Sequence, residues 1–210
     1  PTATLAEFAS TLQGDADVQY ADPVRRAFTF AAPNDPFWSS QWSLNGGTAG
    51  INVETAWQLQ SSVHGLTVAV IDTGILPHPD LEGRVLPGYD FISNPDRARD
   101  GNARDPNPRD EGDWTDGECG TAPSFFHGLF VAGLIGANTN NGVGIAGIAN
   151  GVNILPVRTL GRCGGTFEDV LEGMLWASGV RIAGVPPNPN PAKVINLSLG
   201  GFGACDQSIQ

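Results

Sequence analysis

Three stretches of the chain are mostly apolar, and each ends at a polar residue or a turn. They cover residues 66–72 (LTVAVID), 152–158 (VNILPVR) and 193–199 (KVINLSL). Continuous apolar runs of this length predict strands that are buried on both faces, as in a parallel sheet. Residues 84–92 (RVLPGYDFI) form another stretch with an extended pattern.

Segments with a helical pattern alternate with these strands. Residues 52–60 predict a short helix capped by Asn52, and the small and apolar residues that begin at His127 predict a buried helix. Residues 166–178 predict an amphipathic helix capped by Thr166. Its expected apolar face consists of Phe167, Val170, Leu171, Met174 and Leu175. Strands that alternate with helices predict an α/β fold with a parallel, doubly wound sheet.

The composition is that of a globular protein without nucleic-acid or membrane partners. Hydrophobic residues make up 40% of the 210 positions and charged residues 16%, which permits one large or two small domains. The net charge is −11 and Lys193 is the single lysine, which argues against nucleic acid or an anionic membrane as a partner. No apolar run reaches the ~18 residues of a membrane span, and any signal peptide has been removed or was never present. We expect a soluble, secreted monomer, or a protein that binds cations.

Asp72 directly follows the first predicted core strand and precedes a turn at Thr73 and Gly74. Open α/β sheets bind ligands at the carboxyl ends of their strands, so an acid in this position is well placed for function. The alternative is that Asp72 only caps the turn. His127 is equally ambiguous from its position alone, because a lone histidine is more often structural than catalytic.

Residues 94–117 form a polar loop with six aspartates and one glutamate. Such a loop is either solvated and without a site, or it binds calcium, which takes six to eight oxygen ligands from flexible loops. The spacing does not match an EF-hand, and both interpretations stay open. The candidate ligands are Asp100, Asn102, Asp105, Asn107, Asp110 and Asp113.

The three cysteines are Cys119, Cys163 and Cys205, and no two of them have the spacing of a zinc site. The flanks of the first two, GECG and GRCGG, are typical of loops, which in an exported protein favours disulfides over reactive thiols. Because three is an odd number, either one thiol is free or the chain is incomplete.

Several motifs occur in the order in which one enzyme family carries them. They are VAVIDTG, HPDL, HGLFVAG, GVGIAGIA, LPVRTL and VINLSLGG, spread between residues 66 and 201. With these motifs the chain resembles the subtilases, the subtilisin-like serine proteases, and is most similar to their thermitase-like and secreted Gram-negative branches. The resemblance implies a subtilisin-like parallel sheet that is incomplete in this chain, with an unpaired apolar edge beside residues 193–199 that would favour aggregation.

The resemblance implies that Asp72 and His127 are two members of an Asp-His-Ser triad. Asp72 would orient His127 and stabilise its imidazolium, and His127 would act as the general base. The family's nucleophile segment, of the type GTSMA, does not occur in the sequence, and its oxyanion asparagine is absent too. We therefore expect the 210 residues alone to be inactive. The usual HGTHVAG is HGLFVAG here, so Leu129 and Phe130 replace a threonine and a second histidine.

Two segments correspond to the strands with which the family binds an extended peptide. Ser198, Leu199 and Gly200 match one of these strands, and Gly164 and Gly165 fall at the other. Extended peptides bind such strands through their backbone, so the resemblance implies protein or peptide substrates.

Cys119 and Cys163 flank the predicted substrate-side loops, and the resemblance leads us to expect a disulfide between them. The bridge would join the long acidic loop to the start of the helix at Thr166. Cys205 would then await a partner beyond Gln210.

The thermitase-like pattern also implies one strong calcium site. Oxygen donors, two of them anionic, suit calcium rather than zinc. The alternative is that these residues only form ordinary turns. The side-chain ligands would be Asp35, Asp80 and Asn141, and the backbone carbonyls of Asn138, Val143 and Ile145 would complete the site. A second calcium ion in the acidic loop stays open.

Residues 1–32 differ from the rest of the chain and resemble the carboxyl-terminal end of a subtilase propeptide. Residues 5–13 (LAEFASTLQ) predict a short helix, and residues 17–30 have a partly alternating pattern typical of an extended tail. Residues 33–210 would form the amino-terminal portion of the catalytic domain, with the propeptide as a binding partner. Processing is expected near Ala31 or Ala32, before Pro33.

Two functions are compatible with these observations. The first is a secreted serine endopeptidase, of whose triad only the aspartate and the histidine lie in this chain. The second is a non-catalytic, truncated subtilase-like module that binds calcium and extended peptide. An unrelated doubly wound binding protein is a third interpretation, against which the series of motifs argues.

Overall fold

The computed structural model describes residues 5–21, 32–60 and 62–201 of the chain. The chain divides into two compact units, Pro1–Ala31 and Ala32–Gln210. In the first unit, helix α1 spans Leu5–Gln13 as predicted. Residues 17–21 contain no strand, and residues 22–30 of the predicted extended tail lie outside the described residues.

The second unit contains helices and strands in alternation. The helices are α2 Val53–Leu59, α3 Pro95–Ala98, α4 His127–Gly136 and α5 Phe167–Ala177. The strands are β1 Thr67–Asp72, β2 Tyr89–Asp90, β3 Thr115–Gly117, β4 Gly120–Ala122, β5 Asn153–Arg158 and β6 Val194–Asn196. Within the described residues, no helix has the length and apolar character that crossing a bilayer requires.

Four strands form a parallel sheet, as the sequence predicts, and their order is β2–β5–β1–β6. The six residues of β1 are all buried, and Asp72 lies opposite Arg158 of β5 in the ladder. Only two residues of the predicted stretch 84–92 belong to β2, because Pro87 has no backbone N–H to donate to the ladder. Strand β6 pairs with β1 over three residues, fewer than the stretch 193–199 predicts.

Helices cover both faces of this sheet, which is the doubly wound arrangement. Ala69 and Ile71 of β1 face the cluster that includes α5, whereas Val68 and Val70 face the cluster that includes α4. The alternation follows from the geometry of a strand, in which successive side chains point to opposite faces. The carboxyl ends of β1 and β5 therefore lie together at one edge, between the two helix layers.

Two details of the helices differ from the predictions. The side chain of Asn52 makes no capping hydrogen bond, and its backbone is left-handed, whereas Thr166 caps α5 by accepting from Asp169 N at 3.1 Å. The buried face of α5 consists of Asp169, Val170, Gly173, Trp176 and Ala177, while Phe167, Leu171 and Leu175 are exposed. Of the predicted face, Val170 is buried and Met174 packs against the core. The buried face is shifted toward Gly173, where a Cβ atom would lie only 3.0 Å from Thr159 and Val157.

Arg158 is a buried cation at the carboxyl end of β5. Its side chain is 1% exposed, and its guanidinium donates to the carboxylate of Asp90, to Ala98 O and to Asp100 Oδ2, the last at 3.2 Å. Burial raises the pKa of the Asp90 carboxyl to about 7, although the neighbouring Arg158 acts to lower it. Arg158 thus fixes α3 and the start of the acidic loop to the edge of the sheet.

We expect Arg158→Ala to lower the free energy of unfolding by about 3–5 kcal/mol, because Asp90 is left buried without its cation. The folded-state pKa of Asp90 is raised above its ordinary value of 3.8 to about 7, so its ionisation reduces stability as the pH rises through that window. Without Arg158 the cost of ionising Asp90 increases. The decrease in the free energy of unfolding caused by Arg158→Ala should therefore be larger at pH 8 than at pH 5.

Denaturant unfolding at the two pH values measures this difference, and Arg109→Ala is the control. Arg109 is 51% exposed and pairs with Glu111 at 3.1 Å, so its loss should cost at most about 1 kcal/mol. Equal losses for the two variants would show that Arg158 does not have the assigned structural role.

Candidate active site

Asp72 and His127 are brought together by the junction of β1 and α4. Asp72 is the last residue of β1 and is fully buried, and His127 is the first residue of α4, with a side chain that is 43% exposed. His127 Nδ1 lies 2.9 Å from each carboxylate oxygen of Asp72. Asp72 Oδ1 also accepts from Thr73 N at 2.7 Å. A buried carboxylate that is oriented in this way can hold one ring nitrogen of a histidine while the other is free to move a proton.

Close backbone contact between two glycines makes this pairing possible. A Cβ atom on Gly128 would collide with Gly74 O and lie 3.2 Å from the Cβ of Asp72. Gly74 has a φ of +109° and approaches Pro108 O, so the turn after β1 also requires glycine. The first turn of α4 can therefore rest directly on the turn that follows Asp72.

A second buried acid, Asp110, is connected to the pair through Thr73. Thr73 Oγ1 donates to Asp110 Oδ2 at 2.6 Å and accepts from Gly128 N at 2.9 Å. Asp110 Oδ1 accepts from Gly112 N at 2.8 Å. Burial raises the pKa of the Asp110 carboxyl, while the hydrogen bonds from Thr73 and Gly112 and the charge of Arg158 act to lower it. Sequence reasoning missed this connection and grouped Asp110 only with candidate calcium ligands.

Three further aspartates among the candidate ligands of the acidic loop also have individual partners. Asp100 pairs with Arg158, Asp105 accepts from Asn102 Nδ2 at 3.0 Å and Asn107 N at 2.8 Å, and Asp113 accepts from Phe125 N at 3.1 Å. Among the described residues, no three His, Cys, Asp or Glu side chains lie close enough to hold a metal ion. The structure therefore does not gather the aspartates of the candidate second calcium site around one point.

The residues of the first candidate calcium site do come together, from three separate segments. Asp35 and Asp80 are each 3% exposed. Asn140 N donates to Asp35 Oδ2, and Ile145 N donates to Asp80 Oδ2, both at 2.9 Å. Asn141 Nδ2 donates to Asp80 Oδ1 at 2.9 Å. In the described part of the chain, neither carboxylate has an ion pair.

The backbone of the loop after α4 packs directly against the Asp80 carboxylate. A Cβ atom on Gly144 would collide with Asp80 Oδ2, and Gly144 O accepts from Phe37 N at 3.0 Å. Asn138 N donates to Asp80 O at 2.7 Å, so the loop is tied to both other segments. Two buried anions, an amide and nearby carbonyls are a donor set that fits calcium.

The candidate substrate segments are accessible. Ser198 and Gly200 are exposed and Leu199 is half-buried, and residues 197–200 have no partner strand among the described residues. Leu197, Leu199 and Gly200 line a 300 Å³ cavity together with residues of α5. Gly164 has a φ of +85° in a tight turn with Gly161, and Gly165 packs closely on Thr159 O.

The two residues that replace a threonine and a histidine in the histidine motif line a largely apolar cavity. Phe130 is 61% exposed. Phe130 and Leu129 line a 360 Å³ cavity with Phe37, Phe125 and Phe126. That these replacements alter the packing around His127 stays a prediction.

The predicted disulfide between Cys119 and Cys163 is present, with the two Cα atoms 5.7 Å apart. It joins the β3–β4 hairpin, which the sequence did not predict, to the turn before α5. Cys205 lies outside the described residues.

Comparison with known proteins connects this geometry to one family. Residues 63–210 match the model of the subtilase family. The chain is 49% identical over 209 residues to the extracellular basic protease of Dichelobacter nodosus, and this alignment covers 95% of this chain and 34% of that protein. It is 35% identical over 171 residues to thermitase of Thermoactinomyces vulgaris, and this alignment covers 80% of this chain and 48% of that protein.

A solved structure described as proteases from Pseudoalteromonas arctica PAMC 21717 has the same fold. It superposes with a TM-score of 0.80 at 47% identity, covering 85% of this chain and 54% of that chain. This chain spans only about a third of the length of the Dichelobacter relative. The family match over residues 63–210, the identities and the shared fold together show that this chain belongs to the subtilase family, with thermitase-like relatives.

Proposed function

We propose that this chain is part of a secreted serine endopeptidase in which Asp72 and His127 act with a serine outside these 210 residues. The observation that carries the proposal is the position of His127 Nδ1, 2.9 Å from both oxygens of a fully buried Asp72. The names of the relatives support it, since they include an extracellular protease and thermitase. The disulfide is also typical of exported proteins.

The geometry supports a specific division of labour in peptide hydrolysis. His127 donates its Nδ1 proton to Asp72, which leaves Nε2 free to accept the proton of the serine hydroxyl as that oxygen bonds to the substrate carbonyl carbon. Asp72 stabilises the imidazolium that forms. His127 then gives the proton to the leaving amine as the peptide bond breaks, and a water molecule repeats the cycle on the acyl-enzyme.

Exposed backbone beyond β6 supports binding of an extended peptide. Ser198, Leu199 and Gly200 continue the direction of an edge strand, where free N–H and C=O groups can pair with an added strand. Gly164 and Gly165 would contact the other side of the peptide. The substrates would be proteins or peptides, and the enzyme would act as a monomer.

Replacement of His127 by alanine tests the proposed catalysis. In the full-length protein, His127→Ala should lower kcat for a peptide substrate by at least about 10⁴-fold, because the general base is lost. His64→Ala is the matched control, since His64 is exposed and lies outside the pair. Peptidase activity of the full-length His127→Ala variant close to that of the wild type would refute the assignment.

We further propose that Asp35, Asp80 and Asn141 hold a calcium ion together with the carbonyls of Asn138, Val143 and Ile145. Two buried carboxylates without a cationic partner among the described residues support this proposal, because a buried anion is costly unless it is paired or coordinates a metal. The ion would supply positive charge that ties residues 34–37 to the turn at Pro79–Leu81 and to the loop after α4.

Calcium should raise the free energy of unfolding of the full-length protein by about 2.7 kcal/mol when its free concentration is 100 times Kd. Asp80→Asn should abolish most of this gain, since it keeps the shape of the side chain but removes one anionic ligand. Glu82→Gln removes the same charge from an exposed position in the same turn and should leave the gain intact. Equal melting temperatures of the wild type in calcium and in chelator would exclude the site.

We also propose that residues 1–32 are the end of a propeptide that binds the catalytic domain before processing. The division of the chain into units at Ala31 and Ala32 supports this proposal. Amino-terminal sequencing of the secreted enzyme should find a start near Ala31 or Ala32. A start upstream of Leu5 would contradict it.

A further inference from the structure

We propose that Thr73 and Asp110 are positioning residues that set the geometry of the catalytic pair by holding the first turn of α4 against the end of β1. The proposal rests on the proposed protease function. It assigns to one acid of the polar loop a role in catalysis that needs neither contact with the substrate nor a metal ion.

The segment around Asp110 is fixed to the turn after β1 by backbone pairing. Ile75 N donates to Pro108 O at 2.9 Å, and Asp110 N donates to Ile75 O at 3.1 Å. A Cβ atom on Gly74 would collide with Pro108 O, so no side chain separates the two segments. These backbone contacts therefore hold Asp110 beside Thr73 independently of the hydrogen bonds of its side chain.

The hydroxyl of Thr73 can serve both neighbours only in one orientation. It carries a single proton, which it donates to Asp110 Oδ2 at 2.6 Å, and its lone pairs then accept from Gly128 N at 2.9 Å. Asp110 is 3% exposed and Thr73 4% exposed. A carboxylate that only accepts hydrogen bonds forces the hydroxyl proton to its side and leaves the lone pairs for Gly128.

Helix α4 has no cap of its own that could replace this contact. The residue before it, Phe126, has a left-handed backbone and makes no side-chain cap hydrogen bond. The first amides of a helix lack partners within the helix and are usually satisfied by such a cap. Thr73, in the turn after β1, supplies the missing acceptor for Gly128 N. Gly128 is bonded directly to His127.

The consequence of losing this contact would appear in the chemical step rather than in substrate binding. The imidazole of His127 must face Asp72 and the attacking serine at the same time, and displacement of a catalytic group by about 1 Å can cost 10²-fold in rate. Thr73 and Asp110 are buried below the pair, so their loss should leave peptide binding nearly unchanged.

Substitutions in the full-length enzyme test the proposal. Thr73→Val keeps the shape of the side chain but removes the hydroxyl, and it should lower kcat by about 10–100-fold with KM within about twofold of the wild type. Thr73→Ser restores the hydroxyl and should recover most of kcat. The matched control is Thr159→Val, because Thr159 is also buried but its Oγ1 has no hydrogen-bond partner among the described residues.

Asp110→Ala provides an independent test because it removes both carboxylate oxygens. It should also lower kcat, and the double variant Thr73→Val/Asp110→Ala should be no worse than the poorer single variant, because both break the same contact. Fully additive losses, or wild-type kcat in Thr73→Val or Asp110→Ala, would overturn the proposal. Should Thr73→Val fail to fold, the kcat of Asp110→Ala decides.

These outcomes are distinguishable from failure of the proposed function. If the wild type and Thr159→Val hydrolyse peptides while Thr73→Val does so equally well, the positioning role is wrong but the protease function stands. If the wild-type full-length protein hydrolyses no peptide, the proposed function itself fails.

Discussion

The direct contact between Gly74 and Gly128 is the constraint on which the rest of the site depends. A side chain at Gly128 would displace α4 from the turn after β1, since its Cβ would collide with Gly74 O. Because Gly128 has no side chain, the helix begins within reach of Asp72, and its first residue, His127, meets a carboxylate that strand β1 has buried. Strand β1 fixes the position of Asp72, and the absence of a side chain at Gly128 allows His127 to approach it closely.

Burial of several acids at one edge of the sheet is the electrostatic counterpart of this packing. Asp72, Asp90 and Asp110 are all buried near the carboxyl ends of the strands, in a chain with a net charge of −11. Arg158 offsets part of this charge by pairing with Asp90 and Asp100. Hydrogen bonds from Thr73 and Gly112 satisfy Asp110 instead. Each acid therefore has a specific compensating donor, which keeps the edge ordered around the pair.

Short sequence patterns predicted the structural features that depend only on neighbouring residues. The six buried residues of β1, the position of His127 at a helix start and the Thr166 cap all follow from short stretches. The bond from Thr73 to Asp110 could not be found in this way, because it joins residues 37 positions apart. The apolar face of α5 was predicted only in part, for Val170 and Met174, because hydrophobicity alone did not reveal that Gly173 packs against the sheet.

The two groups of buried acids differ in whether a protein cation acts on them. In the acidic loop, Asp100 pairs with Arg158, and the charge of Arg158 also acts on the buried Asp110. Asp35 and Asp80 are each 3% exposed, and their described partners are neutral amides. A buried charge without a counter-charge is costly. The proposed calcium ion would supply that counter-charge to Asp35 and Asp80.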